Sequence, residues 1–145
     1  MGGGARRWTA PPFRELDPGL ADAESLMASG GGGLADVVAA LPDELLAARR
    51  LNAVLARVGA APRLCQEGAR WRVVVVGDGD AGSRVAVAAG ALALLVSATG
   101  WQRVKRCAAP GCAAAFVDRT NGRSRRRCAA HARGTGGRRG VSGGA

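Results

Sequence analysis

The sequence is poor in large side chains, with no tyrosine, two phenylalanines and three tryptophans. A core built without them cannot rely on a few bulky anchors, so stability has to come from many small contacts around Leu, Val and Ala. It also lacks an uninterrupted apolar run of about eighteen residues, the length that a membrane-spanning helix needs. The Ala81–Ala98 stretch comes nearest, but Arg84 and two glycines break it, so a helix of a water-soluble domain is expected there. The amino-terminal residues show no basic start followed by an apolar run and a cleavage site, which argues against a secretory leader. A reducing, cytoplasmic setting is therefore expected for the four cysteines, and a disulfide scaffold is not.

What is present begins with 48% apolar residues, enough to exclude disorder throughout, and 23 glycines, which weaken helices and favour ragged ends. The formal charge is +10, and its placement is uneven. Residues 1–100 hold ten arginines against ten acids, whereas residues 101–145 hold eleven basic side chains against Asp118 alone. The whole excess thus lies in the last third, where it suits a polyanion such as DNA or RNA, or an anionic membrane. A solvated arginine-rich tail reflecting a biased genome composition is the plainer alternative.

Residues 1–33 are expected to be flexible or poorly structured, with at most a short helix over Ala21–Ala28 and a glycine linker over Gly30–Gly33. Leu34–Leu41 reads as another short helix. Pro42, Asp43 and Glu44 resemble a helix first turn, and Leu45, Ala48, Leu51, Leu55 and Val58 continue it as one apolar stripe until Gly59 and Pro62. Trp71–Val76, with four consecutive valines, is the clearest strand, and Leu64 with its neighbours is the expected pairing partner. Val85–Ala98 reads as an alanine-rich helix packed on the preceding one. Between these, Gly77-Asp78-Gly79-Asp80-Ala81-Gly82 matches GxGxxG in form. Two aspartates beside a pyrophosphate, and no room for a doubly wound sheet, make it a tight turn instead. Cys65 stands alone and is expected to be a small, partly buried residue.

The chemistry-bearing pattern is Cys107-x4-Cys112-x15-Cys128-x2-His131. Pro110-Gly111 favours a sharp reversal that turns the first two thiolates toward one point. A helix over Arg123–His131 would put Cys128 and His131 on one face, three residues apart. Three thiolates and an imidazole form a tetrahedral zinc site, and binding can fold a segment too short for its own core. Ala113–Val117 reads as a strand anchored by Phe116, followed by an Asn121-Gly122 turn, with Asn121 or Ser124 as a cap for the next helix. Asp118 is a candidate partner for Arg125 or Arg126, or a solvated turn acid.

At these residues the segment resembles the CGNR zinc finger, a small bacterial module that usually follows an ABATE domain in a family of stress-induced transcription regulators. The resemblance is carried by Arg106-Cys107-Ala108-Ala109-Pro110-Gly111-Cys112, by Phe116-Val117-Asp118-Arg119-Thr120-Asn121 and by Ser124-Arg125-Arg126-Arg127-Cys128. Leu51-Asn52-Ala53, Pro62-Arg63-Leu64 and Trp71-Arg72 look like the late part of the ABATE domain. The sequence departs from the pattern at Arg127, where the family usually has tryptophan, and at Arg133, where its last cysteine would fall. His131 is the available substitute for that fourth ligand, and arginine cannot serve.

Together these readings give an α+β chain: a mostly helical, truncated ABATE-like domain with a short strand pair over 34–104, a zinc finger over 105–133 and a basic glycine-rich tail over 134–145. The expected metal ligands are Cys107, Cys112, Cys128 and His131, and the expected cofactor is zinc. The resemblance and the charge placement imply a DNA-binding transcription regulator, with Arg119, Arg123, Arg125, Arg126, Arg127 and Arg133 as candidate nucleic-acid contacts. A protein partner or homodimer is the alternative, with the finger as a structural or interaction module. Catalysis is not expected, because the one histidine is already claimed and Asp118 is the only acid near the cluster.

Overall fold

A computed structural model describes residues 11–132. Helix α1 (Pro11–Ser29) leads through a short 3-10 turn (Gly31–Gly33) into α2 (Leu34–Ala39) and α3 (Glu44–Arg57). A hairpin of β1 (Ala61–Glu67) and β2 (Arg70–Val76) follows, then the long α4 (Gly79–Thr99). A second 3-10 turn (Trp101–Arg103) delivers the chain to β3 (Val104–Arg106) and β4 (Ala115–Val117). The strands form two separate antiparallel pairs, β1–β2 and β3–β4.

Local sequence accounts for most of these elements. Asp43 is the N-cap of α3, its carboxylate accepting the Leu46 N–H at 3.1 Å. The buried face of α3 is Ala47, Leu51 and Val54, while Leu45 is 75% exposed. Of the expected stripe only Leu51 is buried, while Ala48 and Leu55 pack partly buried against the same core. The helix is turned so that small Ala47, rather than Leu45, enters the core against Val37 and Val38 of α2. Arg57 closes the last turn by donating to the Gly32 carbonyl at 2.8 Å. The hairpin pairs Leu64 with Val73 and Ala61 with Val76, so the strand partner expected around Leu64 is β1. The GxGxxG stretch is indeed a turn that opens α4, with Gly79 at φ +64°.

The expectation of a poorly structured 1–33 region is corrected over 11–33. Leu20 and Ala23 of α1 are fully buried, and Leu26 and Met27 nearly so, in the same core as Leu92 and Leu95 of α4. Pro18 and Gly19 look like breakers in sequence but mark the point where α1 crosses α4. A Cβ on Gly19 would lie 2.6 Å from that of Ala91, so only glycine permits this approach. The same device seats β2 on α4, where a Cβ on Gly90 would fall 2.4 Å from the Val75 Cβ. Helix α4 is long and apolar enough by composition to cross a membrane. Here its small-residue face, Ala88, Ala89, Ala91 and Leu92, is buried in the core. Residues 1–10 and 133–145, including Arg133 and most of the expected tail, lie outside the described residues.

The main core does not stop at the helices. Trp101, Val104 and Val117 belong to it, so β3 and β4 are built on the helical part. A second, smaller apolar cluster of Cys107, Ala109 and Phe116 lies beyond them, with Cys112 and Cys128 packed against it. Phe116, 2% exposed, is the anchor that the sequence suggested.

Candidate metal centre

Strands β3 and β4 pair with Lys105 opposite Phe116, and the ladder is extended by the Cys107 N–H donating to the Ala114 carbonyl at 2.8 Å. Between them the chain reverses at Pro110-Gly111. Gly111 has φ +78°, which favours glycine, and the Cys112 N–H closes the turn on the Ala109 carbonyl at 3.1 Å. This knuckle brings Cys107 and Cys112 together. Cys128 and His131 arrive from the other side on one turn of helix over 129–132, tied by the Ala132 N–H to the Cys128 carbonyl at 2.9 Å.

The ligand atoms of Cys107, Cys112, Cys128 and His131 all lie within 4.8 Å of one another. Cys112 and Cys128 sulfurs are 3.9 Å apart, and His131 Nδ1 lies 3.2 Å from Cys128 Sγ and 3.6 Å from Cys107 Sγ. A tetrahedron with metal–sulfur bonds of about 2.3 Å has edges of about 3.8 Å, so these separations fit a four-coordinate ion of zinc's size. The donor set is equally suited, with three soft sulfurs and one imidazole nitrogen. The four residues thus form a Cys3His cluster able to coordinate a metal ion.

Electrostatics favour the ligating thiolate at Cys128 and oppose it at Cys112. The His131 side chain and backbone N–H stabilise the Cys128 thiolate and bring its pKa down to about 6. For Cys112 the Ala114 N–H acts in the same direction, but burial and hydrogen bonds with the Cys107 and Cys128 thiols outweigh it and push the pKa up. A cation among the sulfurs would remove that opposition, since it attracts every thiolate.

The segment between β4 and Cys128 departs from the sequence reading. Residues 123–127 are not helical, so neither Asn121 nor Ser124 caps a helix. Arg123 adopts φ +53°, and the chain then runs extended beside β3. Lys105 Nζ holds it there by donating to the carbonyls of Arg123 and Arg125, at 2.7 and 2.8 Å. The Ala108 N–H adds a bond to the Arg126 carbonyl at 2.8 Å. The local reason is Asp118. Fully buried, it accepts from Lys105 Nζ at 2.7 Å, from the Thr120 N–H and hydroxyl at 2.9 and 2.6 Å, and from the Arg125 N–H at 3.0 Å. Burial opposes its charge, yet Lys105 and Thr120 prevail and hold the carboxyl below its ordinary range. Asp118 therefore meets Arg125 through the backbone, and its ionic partner is Lys105.

The candidate arginines separate into two groups. Arg119 donates to Glu24 of α1 at 3.1 and 3.4 Å, and the Val117 N–H donates to the same carboxylate at 2.7 Å. Arg125 lies 4.5 Å over the Phe116 ring and donates through Nε to the Arg127 carbonyl, and Arg127 itself is half-buried. Arg123 and Arg126 are exposed and, with Arg106, line an open cleft against Leu41 and Pro42. Lys105 and Glu24 were not singled out from sequence, and Arg106 entered there only as part of the motif string. Lys105 left a trace as the sole lysine of the chain.

Residues 103–135 match the family model of the CGNR zinc finger, and the chain carries a domain of this kind. No curated protein matches the chain.

Proposed function

We propose that the protein is a zinc-dependent, non-catalytic DNA-binding regulator in which Cys107, Cys112, Cys128 and His131 hold one structural Zn²⁺. The carrying observation is the Cys3His cluster, whose spacing suits zinc, on a finger that presents Arg123 and Arg126 to solvent. Three thiolates and one imidazole would close the coordination sphere, leaving no open position for an activated water. The ion would supply folding energy rather than chemistry, joining the knuckle to the final turn. The family match supports a link to transcription, and the charge confined to residues 101–145 supports a polyanionic partner. In this reading residues 34–104 are the shortened ABATE-like part and the protein works in the cytoplasm.

A second reading, in which the finger only closes the domain, is favoured by the Glu24–Arg119 pair, which commits one basic side chain to an internal contact. Two measurements separate them. Protein purified under reducing conditions should contain one zinc per chain, lost in Cys128→Ser and weakened by at least tenfold in His131→Ala. Duplex DNA binding should fall steeply as salt rises from about 50 to 200 mM. Zinc with no salt-dependent DNA binding would leave the structural reading standing, and absence of zinc would overturn both.

A further inference from the structure

The cleft between the finger and the helical part measures about 750 Å³. One wall is Leu41 and Pro42, at the corner between α2 and α3. The other is Arg106 and the extended run from Arg123 to Arg126. Its lining includes no acid. Lys105, at its base, is neutralised by Asp118 and spent on two carbonyls, so the field of the cleft comes from the arginines. Arg106 also spans to the Leu41 carbonyl at 3.2 Å, tying the walls together. Ser124, exposed between Arg123 and Arg126, has its hydroxyl 3.5 Å from that of Thr120 and adds a small polar group to the rim.

We propose that this cleft seats one phosphodiester strand of DNA, with Arg106, Arg123 and Arg126 around the phosphates and Leu41 and Pro42 against the sugars. The proposal rests on the DNA-binding reading and deepens it, because it makes the helical part half of the binding surface. Two observations set the orientation. Cations occupy only the finger wall, while the opposite wall is apolar and continues into Asp43 and Glu44, which repel phosphate. A free nucleotide or pyrophosphate has similar chemistry and would fit the volume. The cleft is open, however, and its polar rim is exposed, which suits a strand that enters and leaves rather than an enclosed small molecule.

The test uses the full-length, zinc-loaded protein and a fluorescent duplex, read by anisotropy across a salt series. Arg123→Asn combined with Arg126→Ala removes two cleft charges, asparagine being chosen because it tolerates the left-handed backbone at 123. Ser124→Glu instead adds a carboxylate and leaves every arginine in place. As a control, Arg63→Ala with Arg70→Ala removes two exposed charges from the hairpin. Each lost phosphate contact lowers the slope of log K against log salt by about 0.9, so the cleft pair should lower it by about 1.8. Ser124→Glu should weaken binding at least tenfold at low salt, and the hairpin pair should leave the slope unchanged. Unchanged zinc content and circular dichroism establish that the variants fold. If the wild type binds DNA but the cleft and hairpin pairs lose the same amount, the cleft assignment is wrong while the DNA-binding reading survives. Saturable binding of inorganic pyrophosphate that does not compete with duplex also overturns it. A wild type without salt-dependent duplex binding removes the underlying reading itself.

Discussion

Replacing Asp118 by asparagine preserves volume and removes the charge on which four hydrogen bonds converge. An amide has one acceptor oxygen. With that oxygen kept toward Thr120, the NH2 faces the Lys105 ammonium and the Arg125 N–H, donors against donors. Flipped, it strands the Thr120 N–H. Removing one member of a buried charged pair costs about 3–5 kcal/mol. Lys105 is partly exposed, at 24%, and retains two carbonyls, which places the expected loss at the lower end, about 3 kcal/mol. With a urea dependence of about 1–3 kcal/mol per molar, the unfolding midpoint should fall by about 1–3 M. The assay is urea unfolding followed by circular dichroism, with zinc saturating and again with chelator. The pH dependence provides a second check. A carboxyl whose folded pKa is depressed contributes stability that is complete above its unfolded value, near 3.9, and is lost as pH falls through the folded one. The gap between wild type and Asp118→Asn should therefore be constant from pH 7 to about 5, begin to narrow near pH 4 and close only as pH falls through the depressed folded pKa. An unchanged midpoint at pH 7, or a gap that does not narrow at all as pH falls below about 4, would refute the assignment of Asp118 as the ionised hub.

Glu24→Ala should destabilise the protein by about 1–3 kcal/mol, because it strands the buried Val117 N–H as well as freeing Arg119. Urea midpoints compared with Arg119→Ala, expected to lose less than about 1 kcal/mol because the pair is partly exposed, separate the two effects. Gly90→Ala should cost about 1–3 kcal/mol despite alanine's better helix propensity, since its Cβ would overlap Val75, and a gain in thermal midpoint would contradict the close crossing. In metal-free protein, alkylation of Cys128 by iodoacetamide should have its midpoint near pH 6, and His131→Ala should move it up toward the ordinary thiol value near 8.5. The depressed thiol pKa makes this contribution to stability complete above about pH 8.5 and lost as pH drops through 6, so metal-free wild type and His131→Ala should converge in acid.

The sequence was legible where one residue type sets local geometry. Four valines after Trp71 and Arg72 marked β2, Pro42-Asp43-Glu44 marked the start of α3, and Pro110-Gly111 marked the knuckle. The ligand set was legible too, because sulfur and imidazole at those spacings have few other uses. It failed where distant contacts override local preference. The stretch up to Gly19 reads as poorly structured, yet α1 runs helical through Pro18 and Gly19, where it crosses Ala91 closely. Residues 123–127 read as a helix start, yet Lys105 and Ala108 capture three of their carbonyls and hold the run extended. No periodicity announces such a capture, because its donors lie some twenty residues away.

A series of polar contacts ties the finger to the helices. The cluster draws Cys128 against Cys107, and the Ala108–Arg126 bond next to both fixes the extended run. That run supplies two of the carbonyls that orient Lys105, and Lys105 in turn keeps Asp118 charged inside the protein. The Asp118 N–H donates to the Arg103 carbonyl at 2.7 Å, and the Arg103 guanidinium reaches the carbonyls of Asp118 and Thr120 at 3.0 and 2.6 Å. Arg103 lies in the turn that follows α4, so these polar groups link the cluster to the main core alongside the apolar contacts of Val104 and Val117. Such a chain is either satisfied throughout or costly at every broken link. If the cluster holds zinc as proposed, its removal should loosen the 103–128 segment as a unit, seen as faster amide hydrogen exchange there, and should leave exchange in the hairpin and the α1–α4 crossing unchanged; equal acceleration everywhere would contradict this coupling.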